Sequence, residues 1–289
     1  MAATIRRRPL ISFFVLAYLL SWAVWTPLIL VDLGETLTTT FMLVGVLGPM
    51  GAALIVAGVT GTSRLFWRST LKWRVRPVWY LAAVGIPLLV LAVVLTVAQL
   101  WGVADSSSPG LVEADEPFVF YPLVLVFMIL IGGGMEEPGW RGFAQIRMLR
   151  RFSPLSASAI LGLIWTAWHA PLFLVPGSSQ QGLEVGWYTA AIVAMSVTLT
   201  WMFIRSGGSA LLAVVFHGGV NAINAWIPPF VVPVAQAELS DFAVLEATHV
   251  LVGLVVLIGC RRWFLTRLPA TDPLFELAPP ADATAITTR

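Results

Sequence analysis

The sequence predicts an all-α fold, a polytopic transmembrane helix bundle of about eight spans with its N- and C-termini in the cytoplasm. Three observations carry that expectation. Apolar residues make up 58% of the 289 and charged residues only 11%, where a soluble domain carries roughly 25% charged. Apolar runs of spanning length recur along the chain. The basic residues all fall on one side of those runs.

A bilayer-crossing helix needs ~20 mostly apolar residues. Runs of that kind lie at about 10–31, 40–60, 77–101, 118–140, 154–175, 186–205, 209–230 and 242–260. The first follows Arg6, Arg7 and Arg8, as a secretion signal would. It is too long for a signal core and ends in Trp25-Thr26-Pro27 without a small-residue cleavage site, so it reads as a retained anchor. With eight spans and the N-terminus inside, every basic residue is cytoplasmic. Arg64, Arg68, Lys72, Arg74 and Arg76 lie between spans two and three; Arg141, Arg147, Arg150 and Arg151 follow span four. Arg205 sits in the turn after span six, and Arg261, Arg262, Arg267 and Arg289 follow span eight. The opposite side receives Asp32, Glu35, Asp105, Glu113, Asp115, Glu116, Glu184, Glu238 and Asp241. Positive charge resists translocation, so this partition orients the chain.

Residues 1–267 therefore form one eight-span membrane domain, and 268–289, rich in Pro, Ala and Thr, read as a disordered cytoplasmic tail. In 61–76, Leu65, Phe66, Trp67, Leu71 and Trp73 alternate with basic residues. Two readings are open: a helix lying on the inner leaflet, or a basic loop with aromatic anchors. The single cysteine, Cys260, forms no internal disulfide and says nothing of redox compartment.

Ionisable groups are expensive in hydrocarbon, ~2.5–3.5 kcal/mol at a helix centre on insertion scales. Those within the spans are Glu136, Glu137 and Arg141 at the end of span four, His169 in span five, and His217 in span seven beside Asn221 and Asn224. Glu246 and His249 lie near the outer end of span eight, where water is expected to reach them. Neighbouring carboxylates in a low dielectric cannot both ionise cheaply. Arg141, four residues beyond Glu137, is placed to pair with it, leaving Glu136 to take a proton from water. Glycines 132–134 and Pro138 argue against an undisturbed helix there. The bland reading is a pair that caps the span and neutralises nearby arginines. His169 alone reads as a packed histidine donating to a backbone carbonyl. His217 and Asn221, at i and i+4, share a helical face; they serve as interhelical polar contacts or as donors aimed at an oxyanion.

Taken together the motifs resemble the CPBP family, the CAAX-protease and bacteriocin-processing intramembrane endopeptidases, also called Abi. The matching residues are Glu136-Glu137-Pro-Gly-Trp-Arg141, Trp165-Thr-Ala-Trp-His169 and His217-Gly-Gly-Val-Asn221, in the family's order within a core at about 118–230. Trp165 stands where the family usually has Phe. The resemblance implies an endopeptidase in which Glu136 activates water with help from His169, His217 and Asn221 stabilise the oxyanion, and Glu137 and Arg141 support them. No cofactor is implied by that mechanism. A zinc-dependent version stays open, with Glu136, His169 and His217 as ligands.

Other intramembrane protease chemistries lack their residues. There is no His-Glu-x-x-His, and no Asp falls within a span. Ser209 and His217 lie ~12 Å apart along one helix, too far for a Ser–His dyad. A proton-coupled transporter and a non-catalytic membrane partner remain as rivals from other classes. Repeat symmetry of the transporter kind is not evident. The expected partners are a peptide or membrane-protein substrate and the lipid bilayer, with no nucleic acid. The Arg-rich bias suggests a bacterial inner (cell) membrane. From the predicted inner ends, His217 lies ~12 Å and His169 ~22 Å deep, while Glu136 falls near the edge. The three meet only if span four tilts or if 141–151 run within the membrane. The second is expected, with a cavity open to the cytoplasm.

Overall fold

The computed structural model describes residues 2–100, 117–224 and 241–278. Asp105, Glu113, Asp115, Glu116, Glu238, Arg289 and the side chain of Asn224 lie outside them. Among the described residues there is helix and no strand: α1 (Ala2–Arg7), α2 (Pro9–Trp25), α3 (Glu35–Val46), α4 (Gly48–Thr60), α5 (Ser63–Thr70), α6 (Pro77–Leu100), α7 (Pro117–Leu130), α8 (Pro154–Trp168), α9 (Val185–Arg205), α10 (Ala210–Asn224), α11 (Asp241–Gly259) and α12 (Arg261–Leu265). Five segments are long and apolar enough to cross a membrane: Pro9–Leu30, Glu35–Thr60, Pro77–Val97, Pro122–Leu149 and Val185–Arg205. Three shorter apolar helices, Pro154–Trp168, Ala210–Ile223 and Val244–Gly259, accompany them. All eight overlap the runs read from the sequence. Leu19, Leu81, Leu123, Val255 and Ile258 stand exposed, as lipid-facing side chains do.

Inside the bundle, close approach and stray donors do what the hydrophobic effect does in water. α2 packs on α4, α8 on α9, α9 on α11, and α10 on α6 and α7. A Cβ on Gly162 would meet Val193 Cα at 2.8 Å, and one on Gly253 would meet Ala194 Cβ at 2.7 Å, so α9 is gripped from both sides. Donors with no water available bond carbonyls of the next helix. Tyr18 Oη donates to Ile164 O at 2.5 Å, Trp22 Nε1 to Trp168 O at 2.8 Å, and Ser196 Oγ to Ser158 O at 2.9 Å.

The arginine-bearing segments gather at one end. Ser69 Oγ and Lys72 Nζ donate to Gly208 O and Gly207 O at 2.8 and 2.6 Å. Ser209 Oγ donates back to Lys72 O at 2.6 Å. The turn is possible because Gly207 and Gly208 take φ of 70° and 88°, where a Cβ is disfavoured. Burial lowers the Lys72 pKa, and Arg68 lowers it further. Of the two readings of 61–76, the helical one describes Ser63–Thr70; Phe66 turns inward while Trp67, Leu71 and Trp73 stay exposed.

The tail departs from expectation. Up to Ala278 it is ordered, ending in a 3-10 turn at Pro273–Leu277 that buries Leu274, Phe275 and Leu277. Arg150 donates through Nε to Ala278 O at 2.8 Å and through Nη2 to Phe275 O at 2.6 Å, its guanidinium 4.6 Å from the Phe275 ring centroid. Three apolar side chains within four residues supply a face worth burying, which the overall composition of 268–289 conceals. Residues from 279 onward lie outside the described ones.

Candidate active site

The fourth apolar segment runs to Leu149 rather than ending near 140, and it is not one regular helix. α7 stops at Leu130, and a 3-10 turn (Gly133–Glu136) and a single turn (Glu137–Gly139) follow. A π-helical stretch (Trp140–Gln145) and a last turn (Ile146–Leu149) complete it. Three glycines and Pro138, which lacks an N–H, remove the regular ladder; π-helical turns inside helices are frequent at functional sites. Residues 140–146 are all buried, so this part does run inside the bundle. Within Pro122–Leu149, Glu136 falls halfway along, which removes the mismatch in depth with the histidines.

The break is packed by absence of side chains. A Cβ on Gly134 would meet Val214 O at 2.9 Å, one on Gly218 would meet Ile129 Cγ1 at 2.6 Å, and one on Gly139 would meet Pro49 O at 2.5 Å. At Gly133 the same space holds functional atoms. A Cβ there would lie 2.3 Å from Asn221 Nδ2 and 2.5 Å from His217 Nε2. The two polar atoms therefore converge over the Gly133 backbone, three residues before Glu136.

Glu136, Glu137, Arg141, His169 and His217 are all buried. Glu137 pairs with Arg141, as the i,i+4 spacing predicts: Arg141 Nη1 donates to Oε1 at 2.9 Å and lies equally close to Oε2. Its Oε1 also accepts from His217 Nδ1 at 2.9 Å, a link that no spacing within one helix reveals. Glu136 Oε2 accepts from two indoles, Trp165 Nε1 at 2.6 Å and Trp140 Nε1 at 3.2 Å. Both tryptophans stand within the motifs, but a tryptophan in an apolar span gives no sign that its N–H is the feature in use.

Trp165 joins the parts. Its ring lies 4.7 Å from the Arg141 guanidinium, 5.1 Å from the His217 ring and 6.1 Å from the His169 ring. His169, at the C-terminal cap of α8, donates from Nδ1 to Trp165 O at 2.9 Å. A carbonyl only accepts, so Nδ1 carries the hydrogen and Nε2 of the neutral ring is an acceptor. Trp168 and Tyr188 flank the His169 ring at 4.7 and 5.6 Å.

Glu136, His169, His217 and Asn221 line one cavity of about 560 Å³, with Trp25, Met42, Met128, Leu183 and Met195 among its apolar walls, a size ordinary for ligand pockets. The expected opening toward the basic end is not what the lining describes. None of it comes from 61–76, 141–153 or 205–208; it reaches Thr39, Gly177, Ser179, Gln180 and Glu246. The reason is steric, because the buried stretch Trp140–Leu149 and the contact of Gly139 with Pro49 fill the basic side. Glu246 and His249, expected to meet water, are instead each 7% exposed and line this cavity.

The zinc reading names Glu136, His169 and His217. Among the described residues no three His, Cys, Asp or Glu side chains come close enough together to hold a metal. As arranged, the residues do not fit a zinc ion.

Residues 118–223 match the family described as Type II CAAX prenyl endopeptidase Rce1-like. The chain is 24% identical over 226 residues to CAAX prenyl protease 2 of Methanococcus maripaludis, covering 72% of this chain and 81% of that relative. The matched stretch spans all three motifs, from the broken segment carrying Glu136 to the helix carrying His217 and Asn221. Over the segment that carries its three motifs, the chain is thus similar to CAAX prenyl endopeptidases.

Proposed function

We propose that the chain hydrolyses a peptide bond with water activated by Glu136, without a metal. The observation that carries this reading is the convergence of His217 Nε2 and Asn221 Nδ2 over Gly133, in the cavity that Glu136 lines. Donors held rigidly in a dry site stabilise an oxyanion that water would have to reorganise around.

Both indole bonds to Glu136 go to Oε2, leaving Oε1 as the oxygen that takes a proton from water. His169 Nε2, an acceptor, orients the same water. The hydroxyl oxygen adds to the scissile carbonyl carbon, and the carbonyl oxygen becomes an oxyanion facing His217 and Asn221. To donate from Nε2, His217 must carry hydrogens on both nitrogens, with the Glu137 carboxylate against Nδ1 as counter-charge. Glu137 is fixed in turn by Arg141. Collapse breaks the C–N bond, and the proton held by Glu136 passes to the leaving amine. General base catalysis of this kind contributes about 10²–10⁴ in rate.

Charge partition supports both termini and the basic end on the cytoplasmic side, so the cavity reaches toward the opposite leaflet. The test is cleavage in proteoliposomes, with substrates first trapped by Glu136→Gln protein. Wild type should cut a trapped substrate and Glu136→Ala should not; equal cleavage by both sinks the mechanism. Metal analysis of the active protein, together with activity that survives chelation, checks the metal-free reading.

A further inference from the structure

The same cavity holds a second polar pair that this chemistry does not use. Glu246 and His249 lie at i and i+3 of α11, on one face, and α11 is held in rotation by the contact of Gly253 with Ala194 one turn further on. Both side chains are buried, and both line the cavity that contains Glu136. Among the described residues, Glu246 Oε1 and His249 Nε2 are buried without a hydrogen-bond partner.

Their chemistry is more specific than their burial. His249 Nδ1 faces Leu245 O at 2.9 Å, and a carbonyl can only accept, so the ring hydrogen sits on Nδ1. Nε2 of the neutral ring is then a lone pair, and the carboxylate oxygen of Glu246 is a second one. Two acceptors with no donor are an unfinished arrangement, costly where water is scarce. Among the described residues no Lys or Arg lines the cavity to complete it. A group bearing several N–H donors and a positive charge would satisfy both atoms at once.

From this geometry we infer that Glu246 and His249 form a recognition subsite for an ammonium or guanidinium group of the peptide substrate, in the cavity that the proposed hydrolytic residues also line. Tyr188 lines the same cavity, its ring 5.6 Å from that of His169, so one peptide in this cavity has both sets of residues in its walls. The inference rests on the cavity being a peptide site; it does not require that the peptide be cut.

Binding tests it without turnover. The full-length Glu136→Gln protein in lipid nanodiscs is titrated with N-acetylated hexapeptide amides of norleucine, with a single lysine moved through the six positions. A second series has a free amino terminus and no lysine. At one position the lysine peptide should bind at least ~10-fold tighter than its all-norleucine parent, the low end for a close charge pair. Adding Glu246→Gln should reduce that preference to within ~2-fold while binding of the parent peptide is retained. A preference confined to the free-amine series assigns the cation to the substrate's amino terminus and equally supports the subsite. Equal binding of cationic and neutral peptides overturns it, as does a preference that survives Glu246→Gln. A Glu246-dependent preference in a protein whose wild type cleaves nothing leaves the subsite standing and removes the protease reading. Cleavage with no such preference does the reverse.

Discussion

The sharpest perturbation of the proposed chemistry is a single methyl group at Gly133. Its φ is not positive, so alanine is tolerated by the backbone, and the whole effect falls on what the new Cβ meets. That atom would sit 2.3 Å from Asn221 Nδ2 and 2.5 Å from His217 Nε2, short of the 3.4 Å at which ordinary contact begins by 1.1 and 0.9 Å. Both groups must therefore retreat by about an ångström. A 1 Å misplacement of catalytic groups can cost about 10²-fold in rate. Gly133→Ala should accordingly lose about a hundredfold in cleavage of a trapped substrate, with a modest fall in melting temperature as His217 is pushed against Glu137. Gly58→Ala and Gly85→Ala are the matched controls: both are helical, and nothing lies within 4 Å of the added Cβ. They should keep wild-type activity. Full activity in Gly133→Ala would refute a role for the His217–Asn221 convergence, and loss in all three would show only that this bundle resents alanine.

Further outcomes follow from other contacts. Trp165→Phe keeps a ring but removes the 2.6 Å bond to Glu136; hydrogen bonds to charged groups are worth about 1.5–3 kcal/mol, so cleavage should fall about ten- to a hundredfold, and an unimpaired variant would remove Trp165 from the site. Arg141→Ala leaves the fully buried Glu137 with His217 alone; breaking such a pair costs about 3–5 kcal/mol, measurable by thermal unfolding in nanodiscs, and an unchanged melting temperature would contradict the supporting role. Arg150→Ala removes both bonds to the C-terminal turn, so trypsin should cut at Arg267 faster while the bundle melts unchanged; identical digestion would mean the apolar side chains suffice. In a Cys260→Ser background, Ser179→Cys should react with a membrane-impermeant maleimide in intact cells, and Arg74→Cys only after permeabilisation; the opposite pattern would invert the orientation.

The spans were legible because lipid imposes a length and a polarity that any sequence must display. Glu137 with Arg141 was legible because both lie on one stretch of backbone, where spacing of four residues gives proximity. Contacts between helices are of another kind. That His217 leans on Glu137, eighty residues away, depends on how α10 meets the broken segment, and the permissive features are glycines, residues that read equally well as breakers. The lining of the cavity is hidden for a related reason. An apolar run that stops near 140 puts Glu136 at the end of a helix, whereas the segment continues through the buried π-helical stretch Trp140–Gln145 to Leu149. Ala278 and its neighbours show the limit of composition: Leu274, Phe275 and Leu277 find a groove because Arg150 supplies donors for the carbonyls of the turn.

Two adjacent carboxylates on one backbone are thus given different surroundings, and the proposed mechanism gives each a different task. Glu137 faces the Arg141 guanidinium from its own segment and the His217 ring from α10; in the proposed mechanism it holds α10 in place and opposes the charge that His217 needs in order to donate. Glu136 faces no cation among its bonded partners, only the neutral N–H groups of Trp140 and Trp165. Neutral donors steady a carboxylate less than a guanidinium does, which suits a group that must take up a proton and release it in one cycle. Exchanging these environments would spoil both functions: a base locked to Arg141 would resist protonation, and a His217 without its carboxylate would lose both its orientation and its counter-charge. Both residues have right-handed helical backbone, in which consecutive side chains point about 100° apart and so reach different neighbours.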